Sequence, residues 1–237
     1  MIAALILFGF YIVMAPLASI VGFPWAWITG DIGPLYRMGT GIAARGLRLA
    51  GIRIEAVGLE KLPAGSCIFM CNHVSNLDPC VVIPLIPRRV SILVKKQLMK
   101  MPLLGPAMRL AKFIAIDREQ LDSAIRSLRQ AQEVLSSGLS LFIFAEGTRS
   151  RDGRLQPLKK GPFYVAFDAG VPVVPISLHG TESMMRKGSM SVYPATAHVT
   201  FHQPLDPTQF SSREALMEAV RASIASALPE WMTATSE

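Results

Sequence analysis

The sequence predicts a single α/β domain, with a central mixed, largely parallel sheet flanked by helices, and an N-terminal membrane-associated helical segment. Three observations favour this architecture. After Gly51, short apolar runs alternate with polar helical segments, which is the pattern of α/β folds. Residues 1–30 include no charged side chain. A length of 237 residues suits one domain with a modest extra element better than two domains.

The N-terminal segment, residues 1–50, is predicted to associate with a membrane. Residues 2–21 are apolar and numerous enough to enter or cross a hydrocarbon layer of about 30 Å. Pro16 and Pro24 are expected to kink or break the helix, so a broken pair of helices dipping into one leaflet fits as well as a full span. A cleaved signal peptide is disfavoured because no basic residue precedes Leu5.

Residues 34–50 are predicted to form a second helix. Its apolar positions repeat at helical spacing, so it can either lie on the membrane surface or pack as a buried core helix. The charges that follow the apolar run are mostly arginines. Because positive charge beside an apolar segment favours the cytoplasmic side, the rest of the chain is expected to stay there.

Residues 51–237 are predicted to form the α/β domain. Helical spacing of apolar residues predicts one helix over residues 118–137, with Gly138 as its stop signal. A second helix is predicted over residues 212–228, opened by a capping pattern from Ser211 to Glu214. Short apolar runs predict strands over residues 52–57, 67–71, 90–94, 113–116, 139–144, 173–178 and 198–201.

Composition narrows the function classes. The chain is 51% hydrophobic with a mean hydropathy of +0.37, yet it carries a net charge of +7, a combination that suits an anionic membrane surface. Aromatic residues are not interleaved with basic ones, so nucleic-acid binding is disfavoured. Cys67, Cys71 and Cys80 lack a second Cys or His pair at metal-site spacing, so no metal site is predicted and a reduced compartment is expected.

A histidine and an aspartate follow the predicted strand that ends at Cys71. His73 and Asp78 are close enough in sequence for the loop to fold back, so that the carboxylate accepts from one imidazole nitrogen. The other nitrogen would then act as a general base. No serine nucleophile is evident, and none is needed if the activated hydroxyl belongs to the substrate. Taken alone, this spacing is at least as typical of a structural histidine beside a turn.

Polar residues also follow the predicted strand that ends at Phe144. Gly147 allows close approach of backbone to a ligand, and Arg149 offers a planar fork suited to a phosphate. Glu146 could hold that fork or bond a glycerol hydroxyl. A surface turn with an internal ion pair is the alternative interpretation.

A third strand end delivers another arginine. Arg118 follows the predicted strand over residues 113–116 and is a candidate second phosphate ligand. Asp117, directly before it, is expected to cap the following helix.

In this order and at these separations, four segments resemble the motifs of the glycerolipid acyltransferase superfamily, most closely the bacterial 1-acyl-sn-glycerol-3-phosphate acyltransferases. Residues 72–78 match the NHxxxxD motif, with His73 and Asp78 at its catalytic positions. Residues 113–118 resemble the second motif, residues 146–149 the EGTR of the third, and residues 173–176 the fourth. Ala145 stands where the third motif usually has proline.

The resemblance implies an acyltransferase of phospholipid synthesis at the cytoplasmic face of the inner membrane. It would move a fatty acyl group from acyl-CoA or acyl carrier protein to the sn-2 hydroxyl of 1-acyl-glycerol-3-phosphate, giving phosphatidic acid without a cofactor. Substrate-binding positions implied by the motifs are Glu146, Gly147, Thr148, Arg149 and Arg118, and Lys95 resembles one of a basic pair near the acceptor phosphate. Solvated surface lysine is the alternative for Lys95. An acyltransferase for another lysolipid, such as a lyso-ornithine lipid, a non-catalytic lipid-binding homologue and a thioester hydrolase remain open.

Overall fold

The computed structural model describes residues 1–116, 121–186 and 188–234. These residues form a seven-stranded sheet in the order β1-β7-β6-β2-β5-β3-β4. Neighbouring strands pair in parallel, apart from the antiparallel pair β6 and β7. The strands are β1 (Arg53–Val57), β2 (Ile68–Cys71), β3 (Val90–Lys95), β4 (Ile114–Ile116), β5 (Ser140–Phe144), β6 (Val173–His179) and β7 (Thr196–Phe201). The predicted fold class is therefore confirmed, and each predicted strand lies within two residues of an observed one.

The three central strands are buried because both of their faces are covered by helices. Strand β2 is buried at every position, and β5 and β6 are buried at all but their last residue. Runs that are apolar at successive positions are typical of parallel strands covered on both sides. Strand β7 alternates buried and half-buried residues, as expected nearer an edge.

Helices form a layer on each face of the sheet. Helices α1 to α4 and α7 contribute to one apolar core, and α5, α6, α8 and α9 contribute to the other. The helices are α1 (Ile2–Thr29), α2 (Gly33–Leu49), α3 (Asp78–Val82), α4 (Leu104–Leu110), α5 (Leu121–Ser136), α6 (Gly161–Ala169), α7 (Thr181–Met184), α8 (Arg213–Ser226) and α9 (Glu230–Thr233). Helix α8 begins after Ser212, whose side chain accepts from the Ala215 N–H at 3.1 Å, one residue later than the predicted cap.

Of the outcomes expected at Pro16 and Pro24, a kink or a break, the break does not occur, so the alternative of a broken pair of helices within residues 2–29 is wrong. Helix α1 runs unbroken from Ile2 to Thr29. A proline removes its own helical donor while the neighbouring hydrogen bonds of the ladder persist, and apolar helices tolerate this loss. The helix ends instead at Gly30, which has a φ of +70° and donates its N–H to the Ala26 carbonyl at 3.0 Å. The N-terminal pair of helices is therefore α1 and α2.

The α1–α2 hairpin is anchored on the α/β domain but leaves much of α1 uncovered. Leu7 and Leu47 are fully buried in the core shared with β2 and β6. The Tyr11 hydroxyl donates to the Ala43 carbonyl at 2.9 Å, and the Tyr36 hydroxyl accepts from the Val90 N–H at 3.2 Å. Helix α1 is long and apolar enough to cross a membrane, and 11% of its most apolar window is buried. Much of the apolar surface of α1 is therefore exposed, as expected of a helix that associates with a membrane.

Candidate active site

The site is built where three parallel strands end side by side. Strand β2 lies between β5 and β6, and all three run in the same direction. After β2, the chain forms β3, β4 and β5 on one side of β2. It then crosses to form β6 on the other side, so the direction in which strands are added reverses at β2. Such reversals leave a crevice at the carboxyl ends of the strands, where open α/β sheets bind ligands.

His73 and Asp78 meet at the end of β2. The His73 Nδ1 and Asp78 Oδ2 atoms are 2.7 Å apart. The backbone N–H groups of Val74 and Ser75 also donate to Oδ2, each at 2.8 Å, and the Thr181 hydroxyl donates to Oδ1 at 2.6 Å. These donors compensate for the complete burial of the Asp78 carboxylate. Because Asp78 binds Nδ1, Nε2 is the nitrogen left for proton transfer.

The His73 ring is also held on its flat side. It stacks on the Phe144 ring, with centroids 3.8 Å apart and an interplanar angle of 14°. The His73 side chain is 15% exposed, so it is mostly covered yet reachable. One contact in the plane of the ring and one on its face together fix the direction of Nε2.

Glu146 lies behind the backbone of His73. Its Oε1 accepts from the His73 N–H at 2.7 Å and its Oε2 accepts from the Gln156 N–H at 3.0 Å, while the residue is 1% exposed. Burial raises the pKa of Glu146 to about 7; the two backbone N–H groups and the positive charge of Arg221 limit the rise, and Asp78 adds to it. From the sequence, Glu146 was expected to bind Arg149 or a glycerol hydroxyl. In the structure its two oxygens accept hydrogen bonds from the His73 and Gln156 backbone amides.

Helix α8 is connected to the Glu146 carboxylate through Gln156. The Arg221 Nη1 donates to the Gln156 carbonyl at 3.0 Å, and the Gln156 N–H is the group that donates to Glu146. Arg221, Gln156, Glu146 and His73 thus form a continuous set of contacts, here called the Arg221 network. It connects a helix near the C-terminus to the backbone of the histidine.

The turn that carries Arg149 is tied to the His73 loop. The Ser150 N–H donates to the His73 carbonyl at 2.8 Å. Because Arg149 directly precedes Ser150, this bond keeps Arg149 close to the His73 loop. Gly147 has a φ of +73°, and a Cβ there would lie 2.9 Å from the Lys159 Cγ atom, so glycine is needed for both conformation and space. Arg149 is half-buried and Thr148 is exposed.

Arg118 and Lys95 are the two other predicted phosphate ligands. Arg118, with Asp117, lies outside the described residues. Lys95 is the exposed last residue of β3. Because β3 runs parallel to β5, and β5 to β2, Lys95 leaves the sheet at the same edge as His73.

Sequence reasoning assigned no role to four residues of the site: Phe144, Thr181, Asn72 and Arg221. The Asn72 amide donates to and accepts from the backbone of Leu178, both at 2.8 Å, which fixes the loop against β6. Thr181 follows the end of a strand, so its position at the carboxyl edge was a usable signal. Arg221 gave none, since arginine on an amphipathic helix is usually solvated surface.

A buried carboxylate that orients a histidine at the end of a central parallel strand is the arrangement expected of an enzyme that uses a general base. Residues 53–179 match the family model described as Acyltransferase. A protein of Limnanthes douglasii named 1-acyl-sn-glycerol-3-phosphate acyltransferase is 37% identical over 191 residues, which are 80% of this chain and 67% of that protein. This chain therefore belongs to the acyltransferase family that contains the 1-acyl-sn-glycerol-3-phosphate acyltransferases, as its motifs predicted.

Bacterial proteins show the same similarity. A 1-acyl-sn-glycerol-3-phosphate acyltransferase of Pseudomonas aeruginosa is 35% identical over 152 residues, covering 64% of this chain and 58% of that protein. The crystal structure of the 1-acyl-sn-glycerophosphate (LPA) acyltransferase PlsC from Thermotoga maritima superposes with a TM-score of 0.85 at 25% identity. The match covers 100% of this chain and 97% of that one, so it includes the α1–α2 hairpin.

Proposed function

We propose that the protein is a 1-acylglycerol-3-phosphate O-acyltransferase. It moves a fatty acyl group from acyl-CoA or acyl carrier protein to the sn-2 hydroxyl of 1-acyl-glycerol-3-phosphate, and the product is phosphatidic acid. The observation that carries the proposal is the His73 imidazole bound through Nδ1 to the buried Asp78 carboxylate at 2.7 Å. Relatives that are 35–37% identical to this chain are named 1-acyl-sn-glycerol-3-phosphate acyltransferases, which supports the proposal.

The reaction proceeds by a single transfer. The acceptor hydroxyl gives its proton to the His73 Nε2 atom while its oxygen forms a bond to the thioester carbonyl carbon. Asp78 keeps the other proton on Nδ1 and stabilises the imidazolium. When the tetrahedral intermediate collapses, the carbon–sulfur bond breaks and the departing thiolate takes the proton from the imidazolium. No acyl-enzyme forms and no cofactor takes part, so sequential kinetics are expected.

The acceptor phosphate is anchored by cations at the edge of the crevice. Arg149 is the principal ligand, because its turn is bonded to the His73 carbonyl through Ser150 at 2.8 Å. Gly147 and Thr148 shape that turn, and Arg118 and Lys95 are additional phosphate ligands in this proposal. Glu146 contributes to substrate binding by fixing the loop rather than by touching the lipid.

We further propose that the protein acts at the cytoplasmic face of the inner membrane, and the exposed apolar side of α1 supports this proposal. Several large apolar residues on α1 are mostly exposed, among them Ile2, Ile12, Ile20 and Trp27. Because both the acceptor and the product are lipids, a helix embedded in one leaflet brings the crevice to the depth of the lipid headgroups.

A transfer assay with the purified full chain and a radiolabelled acyl thioester tests the function. His73→Ala is expected to abolish measurable phosphatidic acid formation while leaving the circular dichroism spectrum unchanged. His198→Ala is the matched control, since His198 lies on β7 and pairs with Glu55 at 3.1 Å. Near-normal turnover in His73→Ala would refute the base assignment.

The same assay separates the alternatives. Acceptors with and without a phosphate, including a lyso-ornithine lipid, report the headgroup that is recognised. Release of free fatty acid without acceptor would indicate a hydrolase. No thioester consumption with either donor would indicate a lipid-binding protein.

A further inference from the structure

Residues 95–112, here called the basic–apolar segment, leave the sheet at the edge where His73 lies. The segment contains no Asp or Glu and has exposed cations at Lys95, Lys96, Lys100, Arg109 and Lys112. Between them, five large apolar side chains are 37–45% exposed: Leu98, Met101, Leu103, Leu104 and Leu110. Apolar side chains set among cations are typical of a surface that contacts anionic lipid.

The exposed apolar side chains belong to a folded unit. Met99 and Met108 pack against the same core as α1 and α2. Arg109 Nη1 donates to the Met99 carbonyl at 2.7 Å, and a Cβ at Gly105 would clash with that carbonyl oxygen. The segment therefore already buries the residues that fit the core and presents the others outward.

The backbone at the tip of the segment is strained. Leu103 has a φ of +60° and a ψ of −54°, and the Leu104 N–H donates to the Pro102 carbonyl at 2.6 Å. These values describe the rare, strained form of the γ-turn, which a β-carbon makes costly. Leu103 is 40% exposed, so core packing does not compensate for the strain. A strained turn that holds a leucine toward solvent suggests a use for that leucine outside the protein.

The position of the segment matches the proposed membrane surface. Strand β3 runs parallel to β5 and ends at Lys95, so the segment starts at the edge of the sheet where the His73 loop starts. The contacts of Met99 and Met108 place it on the face covered by α1 and α2. A leaflet that covers the exposed side of α1 would therefore lie near the segment and the mouth of the crevice.

We propose that the basic–apolar segment is a second membrane contact, which inserts Met101, Leu103 and Leu104 among the headgroups of an anionic leaflet while its lysines bind lipid phosphates. The inference rests on the proposed membrane location of α1, but not on the reaction or the acceptor. An acidic carrier protein is the competing partner. The exposed leucines set among cations favour lipid, because apolar side chains can insert below the headgroups of an anionic leaflet while the neighbouring cations bind its phosphates.

Depth-dependent quenching tests the inference on the full chain. A Cys80→Ala background is used, because Cys80 is half-buried while Cys67 and Cys71 are buried. A bimane label is placed at Leu103→Cys, at Ile12→Cys on α1, and at the exposed Ser136→Cys on α5. The vesicles contain phosphatidylglycerol, phosphatidylcholine and a lipid with a nitroxide near the headgroup. Quenching is expected at positions 103 and 12 but not at 136.

Each other outcome overturns the inference in a recognisable way. A quenched label at position 12 with an aqueous label at 103 leaves α1 in the membrane and removes the second contact. Aqueous labels at both positions overturn the membrane location as well. A label at 103 that is shielded only after acyl carrier protein is added assigns the segment to an acidic protein.

A matched pair of charge reversals adds a second measurement. Lys100→Glu and Arg129→Glu change the net charge equally, and both side chains are exposed, on the segment and on α5 respectively. One lost cation at a membrane surface weakens binding about fivefold, so Lys100→Glu is expected to weaken vesicle binding at least that much and Arg129→Glu less than twofold. Equal effects contradict the inference. Leu103→Gly, which relieves the turn, is expected to keep the fold and lose quenching of a label at Met101→Cys.

Discussion

Two buried carboxylates hold His73, and they hold different parts of it. Asp78, at the start of α3, binds the ring through Nδ1. Glu146, which follows β5, accepts from the backbone N–H of the same histidine through one oxygen and from the Gln156 N–H through the other. One carboxylate controls where the protons of the imidazole are, and the other controls where the loop is. The effects of replacing Asp78 and Glu146 should therefore differ in size, in the kinetic constant that changes and in dependence on pH.

Asp78→Asn should have the largest effect. An amide in place of the carboxylate carries no charge, so it cannot stabilise the imidazolium. Its NH2 group would also oppose either the Val74 and Ser75 N–H donors beside Nδ1 or the Thr181 hydroxyl on the other side. We expect kcat to fall about 10³–10⁴-fold, as for the equivalent change in a Ser-His-Asp triad, with a small change in the acceptor KM. Thr181→Val, which removes a single donor to Oδ1, should cost much less. A loss below tenfold in Asp78→Asn would show that His73 does not depend on this contact.

Glu146→Gln should have the second largest effect. The glutamine oxygen can accept from one of the two backbone amides, but its NH2 group would then face the other N–H. Displacing the His73 loop lowers kcat by about 10–10²-fold, since small misplacements near a reacting group are costly. Steady-state kinetics with varied acceptor distinguish this positioning role from direct contact. A raised acceptor KM with unchanged kcat would place Glu146 on the lipid instead.

The two carboxylates also differ in how far sequence reveals them. The His73–Asp78 pair and the seven strands depend on local patterns, namely a spacing within one loop and apolar runs buried on both faces. The orientation of Glu146 cannot be predicted in this way, because a motif gives the residue type and not the direction of the side chain. Thr181 and Arg221 join the site only through tertiary contacts. The sequence left open whether Pro16 breaks α1, because the surroundings of a helix decide whether it tolerates proline.

Arg221→Gln should have a smaller effect that depends on pH. The Arg221 charge lowers the pKa of Glu146 from the value that burial would give, so its removal raises that pKa further. More Glu146 is then protonated at neutral pH, and a protonated carboxyl presents a donor to one of the backbone amides. The groups that act on Glu146 besides Arg221 are the His73 and Gln156 amides and the Asp78 charge, and the Cys71 thiol is also coupled to it. We expect activity to fall several-fold at pH 7 and the acid limb of the pH–rate profile to move to higher pH.

Two control variants make this prediction specific to the Arg221 network. Arg221→Lys keeps the charge and should leave the acid limb in place. In a Glu146→Gln background, Arg221→Gln should cause little further loss, because the titrating group is gone. An equal loss in both backgrounds would mean that Arg221 acts only by supporting the fold.

Phe144→Leu should have the smallest effect, and it tests whether the flat side of the ring matters as the two carboxylates do. Leucine fills much of the space but cannot stack on the His73 ring, a contact with centroids 3.8 Å apart. Aromatic stacking contributes about 0.5–1.5 kcal/mol. Because leucine keeps part of the contact, we expect a loss at the low end of that range, about twofold in kcat. Phe142→Leu is the matched control, because Phe142 is buried and contacts Phe144 edge-on, whereas the His73 ring stacks on Phe144. Both variants should be less stable in urea unfolding, but Phe144→Leu alone should turn over more slowly. Equal kinetics in the two variants would show that Asp78 and Glu146 suffice to orient the ring.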